Sequence, residues 1–124
     1  MLYADLDGLK EINDTWGHKE GDLALIDIAN ILRATYRESD VVARIGGDEF
    51  VVIPVGTTGD DVRIIVSRLQ KNIDAYNANR EKGYKLSMSW GISYYDPENP
   101  CSIDELLSHA DNLMYEQKKN AQRP

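Results

Sequence analysis

The stretch Arg44-Ile45-Gly46-Gly47-Asp48-Glu49-Phe50-Val51-Val52-Ile53 limits the possible folds of this chain more than any other. Val41-Val42-Ala43 leads in and Val51-Val52-Ile53 leads out, so both flanks read as strands, and Gly46-Gly47 can supply the positive φ that a tight hairpin turn needs. Asp48 and Glu49 sit at the tip of that hairpin. At the start of the chain, Leu2-Tyr3-Ala4-Asp5-Leu6-Asp7 reads as a strand whose two-residue period puts Asp5 and Asp7 on one side. If the two strands are neighbours, Asp5, Asp48 and Glu49 converge. Crowded carboxylates resist ionisation unless a cation is present, and Mg²⁺ is typically held by one or two carboxylates together with substrate phosphates.

The rest of the chain supplies what such a hairpin packs against. Gly21 to Tyr36 carries Leu25, Ile28, Ala29, Leu32 and Tyr36 at helical spacing, and Asp60 to Arg80 does the same with Val62, Ile65, Val66, Leu69, Ile73 and Tyr76. Tyr84, Leu86, Met88, Trp90, Ile92 and Tyr94 alternate with mostly small or polar residues, which predicts a strand. Its apolar face should meet the helices, leaving the small face for a ligand or for closer packing. Ser102-Ile103-Asp104-Glu105 after Pro100 predicts a capping box that opens a last helix, with Ile103, Leu106, Leu107, Ala110, Leu113 and Met114 as its buried stripe. This order of elements predicts an α/β (α+β) sandwich with a central mixed, mostly antiparallel sheet flanked by helices. A hairpin also argues against a receiver domain, in which strands and helices alternate around a parallel sheet.

At 124 residues the chain is long enough for one core. Its net charge of -7 argues against binding a nucleic-acid polymer, which requires Lys and Arg against phosphates. Cys101 is the single cysteine, which excludes an intrachain disulfide and fits a reducing compartment. No apolar run is of membrane-spanning length, and no basic-then-hydrophobic leader opens the chain. The expectation is a cytoplasmic domain that makes no membrane contact of its own and is compatible with a membrane-anchored parent.

Longer motifs carry a family resemblance. Asp5-Leu6-Asp7-Gly8-Leu9-Lys10-Glu11-Ile12-Asn13-Asp14-Thr15-Trp16-Gly17-His18 with Gly21-Asp22, then Arg37-Glu38-Ser39-Asp40, Gly46-Gly47-Asp48-Glu49-Phe50, Ser89-Trp90-Gly91-Ile92 and Ala110-Asp111-Asn112-Leu113-Met114-Tyr115 together resemble the GGDEF domain, the diguanylate cyclase family. The resemblance covers nearly the whole chain. It implies a fold like the palm of nucleotide cyclases and polymerases. It also implies a single domain over residues 1–124, without the helical segment that usually precedes the first strand, so a fragment of a longer protein is expected.

The same resemblance implies an activity: two GTP condensed into cyclic di-GMP by a homodimer, with Mg²⁺ (or Mn²⁺) as cofactor and a sensor or receiver domain elsewhere in the parent. Asp5, the carbonyl of Leu6, and Asp48 or Glu49 would hold the metal, while Asp48 and Glu49 would also help to deprotonate the attacking hydroxyl. Lys10 and Lys118 would contact the triphosphate, Asn13 and Asp22 would read the guanine edge, and Gly46 and Gly47 would let the backbone approach the nucleotide. Arg37 and Asp40, with Arg68, would bind the product as an inhibitor, arginine suiting phosphate through its planar fork. Gln122 stands where the family usually carries an arginine. The alternative is a non-catalytic regulatory module that binds GTP or cyclic di-GMP. Plainer roles compete at single positions: Asn13 as a loop residue, Asp22 as a helix N-cap, His18 as a structural turn residue, and Lys118 as a cation facing a helix dipole.

Overall fold

The computed structural model describes residues 1–55, 59–79 and 83–121. The elements run β1 (Leu2–Leu6), α1 (Leu9–Trp16), α2 (His18–Thr35), β2 (Val41–Arg44), β3 (Glu49–Ile53), α3 (Gly59–Ala78), β4 (Met88–Ile92) and α4 (Ile103–Ala121). They divide into two compact units. One comprises Met1–Asp7, Val42–Ile53 and Met88–Pro124, and the other Gly8–Val41 and Pro54–Ser87.

The first unit is built on a four-stranded sheet in the order β2-β3-β1-β4. β1 lies at its centre, antiparallel to β3 (Asp5 opposite Glu49, Tyr3 opposite Val51) and to β4 (Asp5 opposite Ser89, Tyr3 opposite Gly91). The sheet is thus the mostly antiparallel one expected, and the pairings of β1 are all antiparallel. All five residues of β1 are buried, as a central strand requires. The two-residue period then sorts them: Leu2, Ala4 and Leu6, with Phe50, Val52 and Met88, form one buried apolar face. Tyr3, Asp5, Glu49, Val51, Ser89 and Gly91 share the other.

That second face carries α4. Tyr3, Val51, Ala110 and Met114 form its buried apolar cluster, and Ser93 Oγ donates to the Leu106 carbonyl (2.9 Å). The small residues of β4 are what admit the helix, so of the two uses expected for that face the structure adopts closer packing. Helix α4 opens with the predicted capping box: Glu105 N–H donates to Ser102 Oγ (3.1 Å), and Ser102 N–H donates back to Glu105 Oε1 (3.5 Å).

In the second unit α2 packs against α1 and α3. Gly17, at φ 94°, breaks the chain between α1 and α2 in a conformation that residues with a side chain rarely adopt. Helix α2 therefore starts at His18, and Asp22 lies inside it rather than capping it. Asn13, read alternatively as a loop residue, is helical. The alternation expected to form a strand from Tyr84 yields β4 only from Met88. Upstream, the Asn77 side chain takes both backbone groups of Leu86, receiving its N–H at Oδ1 and donating Nδ2–H to its carbonyl, each at 2.8 Å.

Candidate active site and metal centre

The register of the first unit brings three acids together. Asp5 and Glu49 are cross-strand partners, and Asp48 precedes Glu49 at the end of the β2–β3 connection, where the Asp48 carbonyl accepts from Leu6 N–H (3.0 Å). Each of Asp5, Asp48 and Glu49 offers an oxygen, and these atoms all lie within 4.8 Å of one another. Asp7 falls beyond the strand end and accepts from Ser89 Oγ (2.7 Å) instead of joining the cluster.

Asp5 is the member that reports on what the site is built for. It is 7% exposed, its Oδ1 is buried without a hydrogen-bond partner, and its Oδ2 pairs with Lys118 Nζ from α4 at 2.9 Å. Burial pushes its carboxyl up to about 6; Lys118 pulls it back and neighbouring Asp48 pushes it further. Burial alone would lower the Lys118 ammonium, but the pairing with Asp5 and the charges of Asp7 and Asp48 raise it overall. A buried carboxylate oxygen left unsatisfied is costly. Asp5, Asp48 and Glu49 together offer three hard oxygen donors, the kind of set that Mg²⁺ or Mn²⁺ prefers, so the residues fit such an ion.

The glycines of the turn do not behave as expected. Among the described residues only Gly8 and Gly17 have positive φ, so the connection of Ile45 to Asp48 is not the tight primed turn that Gly46-Gly47 suggested. Arg44 holds it instead, Nε donating to the Gly46 carbonyl (3.1 Å) and Nη2 to the Gly47 carbonyl (2.6 Å). A Cβ on Gly46 would sit 3.2 Å from Glu49 Oε2, whereas one on Gly47 would meet nothing within 4 Å.

In the second unit Asn13 and Gly21 meet closely: a Cβ on Gly21 would lie 1.8 Å from Asn13 Oδ1, so only glycine admits the amide there. Asp22 and Lys10 are exposed. Arg37, Asp40 and Arg68 line one cavity of about 230 Å³, together with Tyr36, Asp61 and Ile64. Asp40 is buried and accepts from Arg37 N–H (2.9 Å), Val55 N–H (2.9 Å) and the Arg37 guanidinium (3.4 Å). Burial would raise its carboxyl, but these hydrogen bonds outweigh it and hold the group below the usual carboxylate range. Gln122 lies outside the described residues.

The profile of the family described as "Diguanylate cyclase, GGDEF domain" matches residues 1–124. The chain belongs to the GGDEF family. It is 40% identical over 119 residues to the bifunctional diguanylate cyclase/cyclic di-GMP phosphodiesterase MucR of Pseudomonas aeruginosa, covering 95% of this chain and 17% of MucR. To the diguanylate cyclase DgcP of Escherichia coli K12 it is 36% identical over 124 residues, covering 99% of this chain and 36% of DgcP. This GGDEF domain thus spans about a third or less of the length of those two relatives. The crystal structure of the GGDEF domain of TpbB from Pseudomonas aeruginosa superposes with a TM-score of 0.82 at 38% identity, covering 96% of this chain and 74% of that one. The expected palm-like α+β fold is therefore the fold found.

Two residues, one beside the GGDEF turn and one on β1, were not legible as participants. Arg44 reads in sequence as the end of a strand, and Tyr3 reads as an apolar strand residue. Yet Tyr3 Oη donates to Glu49 Oε2 at 2.6 Å. No helix among the described residues is long and apolar enough to cross a membrane.

Proposed function

We propose that this domain condenses two molecules of GTP into cyclic di-GMP, releasing two pyrophosphates. The observation that carries the reading is the convergence of Asp5, which has a buried, unsatisfied carboxylate oxygen, with Asp48 and Glu49 of the signature hairpin of a GGDEF chain. Asp5, Asp48, Glu49 and the Leu6 carbonyl would hold Mg²⁺ or Mn²⁺, which when bound neutralises charge on the triphosphate and the departing pyrophosphate. Asp48 and Glu49 accept the proton of the attacking 3′-hydroxyl. Lys10 and Lys118 contact the triphosphate as point charges. Asn13 and Asp22 read the guanine edge, the carboxylate accepting from the ring N–H and the exocyclic amine, a donor pair that adenine lacks. Open space beside Gly47 supports close approach of the nucleotide to the backbone.

Each 3′-hydroxyl attacks the α-phosphate held by the partner, so two copies of the domain must face each other; holding both nucleotides in line makes dimerisation part of the chemistry. The cavity lined by Arg37, Asp40 and Arg68 supports product binding there, two guanidinium groups meeting phosphate beside an ordered carboxylate. The test is incubation of purified protein with GTP and Mg²⁺, followed by chromatography. Cyclic di-GMP with pyrophosphate is the expected result. Binding of GTP without either product would favour the regulatory-module reading.

A further inference from the structure

We infer that Tyr3 is a positioning residue for Glu49, holding its carboxylate within the acid cluster; the inference rests on the cyclase reading for Glu49's role but not for its geometry. Tyr3 and Glu49 lie on the same face of the sheet, and the pair is diagonal: Tyr3 faces Val51, and Glu49 faces Asp5. At that offset a strand neighbour is within reach only of a long or aromatic side chain. The tyrosine ring is 9% exposed and clustered with Val51, Ala110 and Met114, so α4 and the sheet fix its direction. Its hydroxyl oxygen is thereby held in place, and it donates to Glu49 Oε2 at 2.6 Å.

Glu49 needs such a partner. Its flexible side chain starts the strand at a half-buried position, and the charges nearest to it within the unit include Asp5 and Asp48, which repel it. Without a donor the carboxylate would relieve that repulsion by swinging into water. A phenol is a neutral hydrogen-bond donor across the ordinary working range of pH. Lys118 pairs with Asp5 and not with Glu49. Tyr3 therefore acts on Glu49 as outer partners of metal-ligating carboxylates do, fixing orientation without touching the substrate.

The test is Tyr3→Phe, which keeps the ring and its packing. Mn²⁺ titrated into nucleotide-free protein, followed by calorimetry, should bind roughly ten- to a hundredfold more weakly than to wild type, the range typical for loss of such a partner. In steady state kcat should fall by a similar factor while KM for GTP stays within about twofold, with circular dichroism unchanged. On a Glu49→Gln background the same substitution should add nothing to the loss of Mn²⁺ affinity. Wild-type Mn²⁺ affinity in Tyr3→Phe, or an equal further loss on the Glu49→Gln background, would overturn the proposal. If wild type forms no cyclic di-GMP yet Tyr3→Phe still weakens Mn²⁺ as described, the cyclase reading fails and the positioning role is supported.

Discussion

Replacing Gly91 with alanine should displace α4 from the sheet. An ideal Cβ at that position lies 2.0 Å from the Ala110 carbonyl oxygen, 2.5 Å from the Met114 nitrogen and 2.7 Å from Leu113 Cβ. The two closest atoms are main chain, so no rotamer change relieves the clash. Ordinary contact begins near 3.4 Å, which requires the helix to retreat by about 1.4 Å at its midpoint. That retreat opens the cluster of Tyr3, Val51, Ala110 and Met114. Overpacking of a tight interior costs about 1 to 3 kcal/mol, and a backbone obstruction belongs at the upper end of that range. For a chain of this length about 3 kcal/mol lowers Tm by roughly 12 °C. Thermal and urea denaturation should show this, with Gly47→Ala as the comparison: its Cβ meets nothing within 4 Å, so its stability should stay within about 0.5 kcal/mol of wild type. A loss below about 1 kcal/mol in Gly91→Ala would refute the reasoning that β4 is glycine there to admit the helix backbone.

Asp5→Asn should abolish cyclisation, read as cyclic di-GMP by chromatography, while the domain still folds. Because burial raises the Asp5 carboxyl to about 6, its ionisation costs the metal-free fold stability as pH rises above the ordinary 3.8, a loss complete once pH passes about 6. Allowing for solvent screening the loss is about 1 to 2 kcal/mol, seen as a pH-dependent difference between wild type and Asp5→Asn in denaturation without Mg²⁺. Arg37→Ala should weaken cyclic di-GMP at least about tenfold by calorimetry and leave GTP binding unchanged, since Asp40 keeps the backbone donors of Arg37 and Val55. Asp22→Ala should erode the preference for GTP over ATP in competition binding; an unchanged preference would mean that guanine is read elsewhere.

The acid cluster was legible because two simple periodicities locate it. Alternation along Leu2–Leu6 places Asp5, and the flanking apolar runs make Asp48-Glu49 the end of a hairpin. What failed did so where a residue type permits several outcomes. Glycine allows positive φ without demanding it, so Gly46-Gly47 suggested a tight turn, while the left-handed positions fell at Gly8 and Gly17. Gly91 is glycine for a reason that only the partner helix reveals. Alternation from Tyr84 onward resembled a long strand, and the Asn77 carboxamide, distant enough in sequence to leave no local trace, took the Leu86 backbone groups that a neighbouring strand would have used. The bond from Tyr3 to Glu49 is a diagonal across a register, and register emerges only when strands have paired.

The way β4 ends the sheet has a consequence for solubility. A terminal strand offers donors and acceptors to any extended segment that drifts past, the usual route to fibrillar growth. Here the Trp90 N–H is already taken by the Gln117 side chain from α4, and just upstream the Leu86 main chain is occupied by Asn77. Two carboxamides thus stand where a foreign strand would have to begin its ladder, leaving only a short stretch of β4 to recruit one. Copies of the domain crowded together therefore meet a guarded edge at β4.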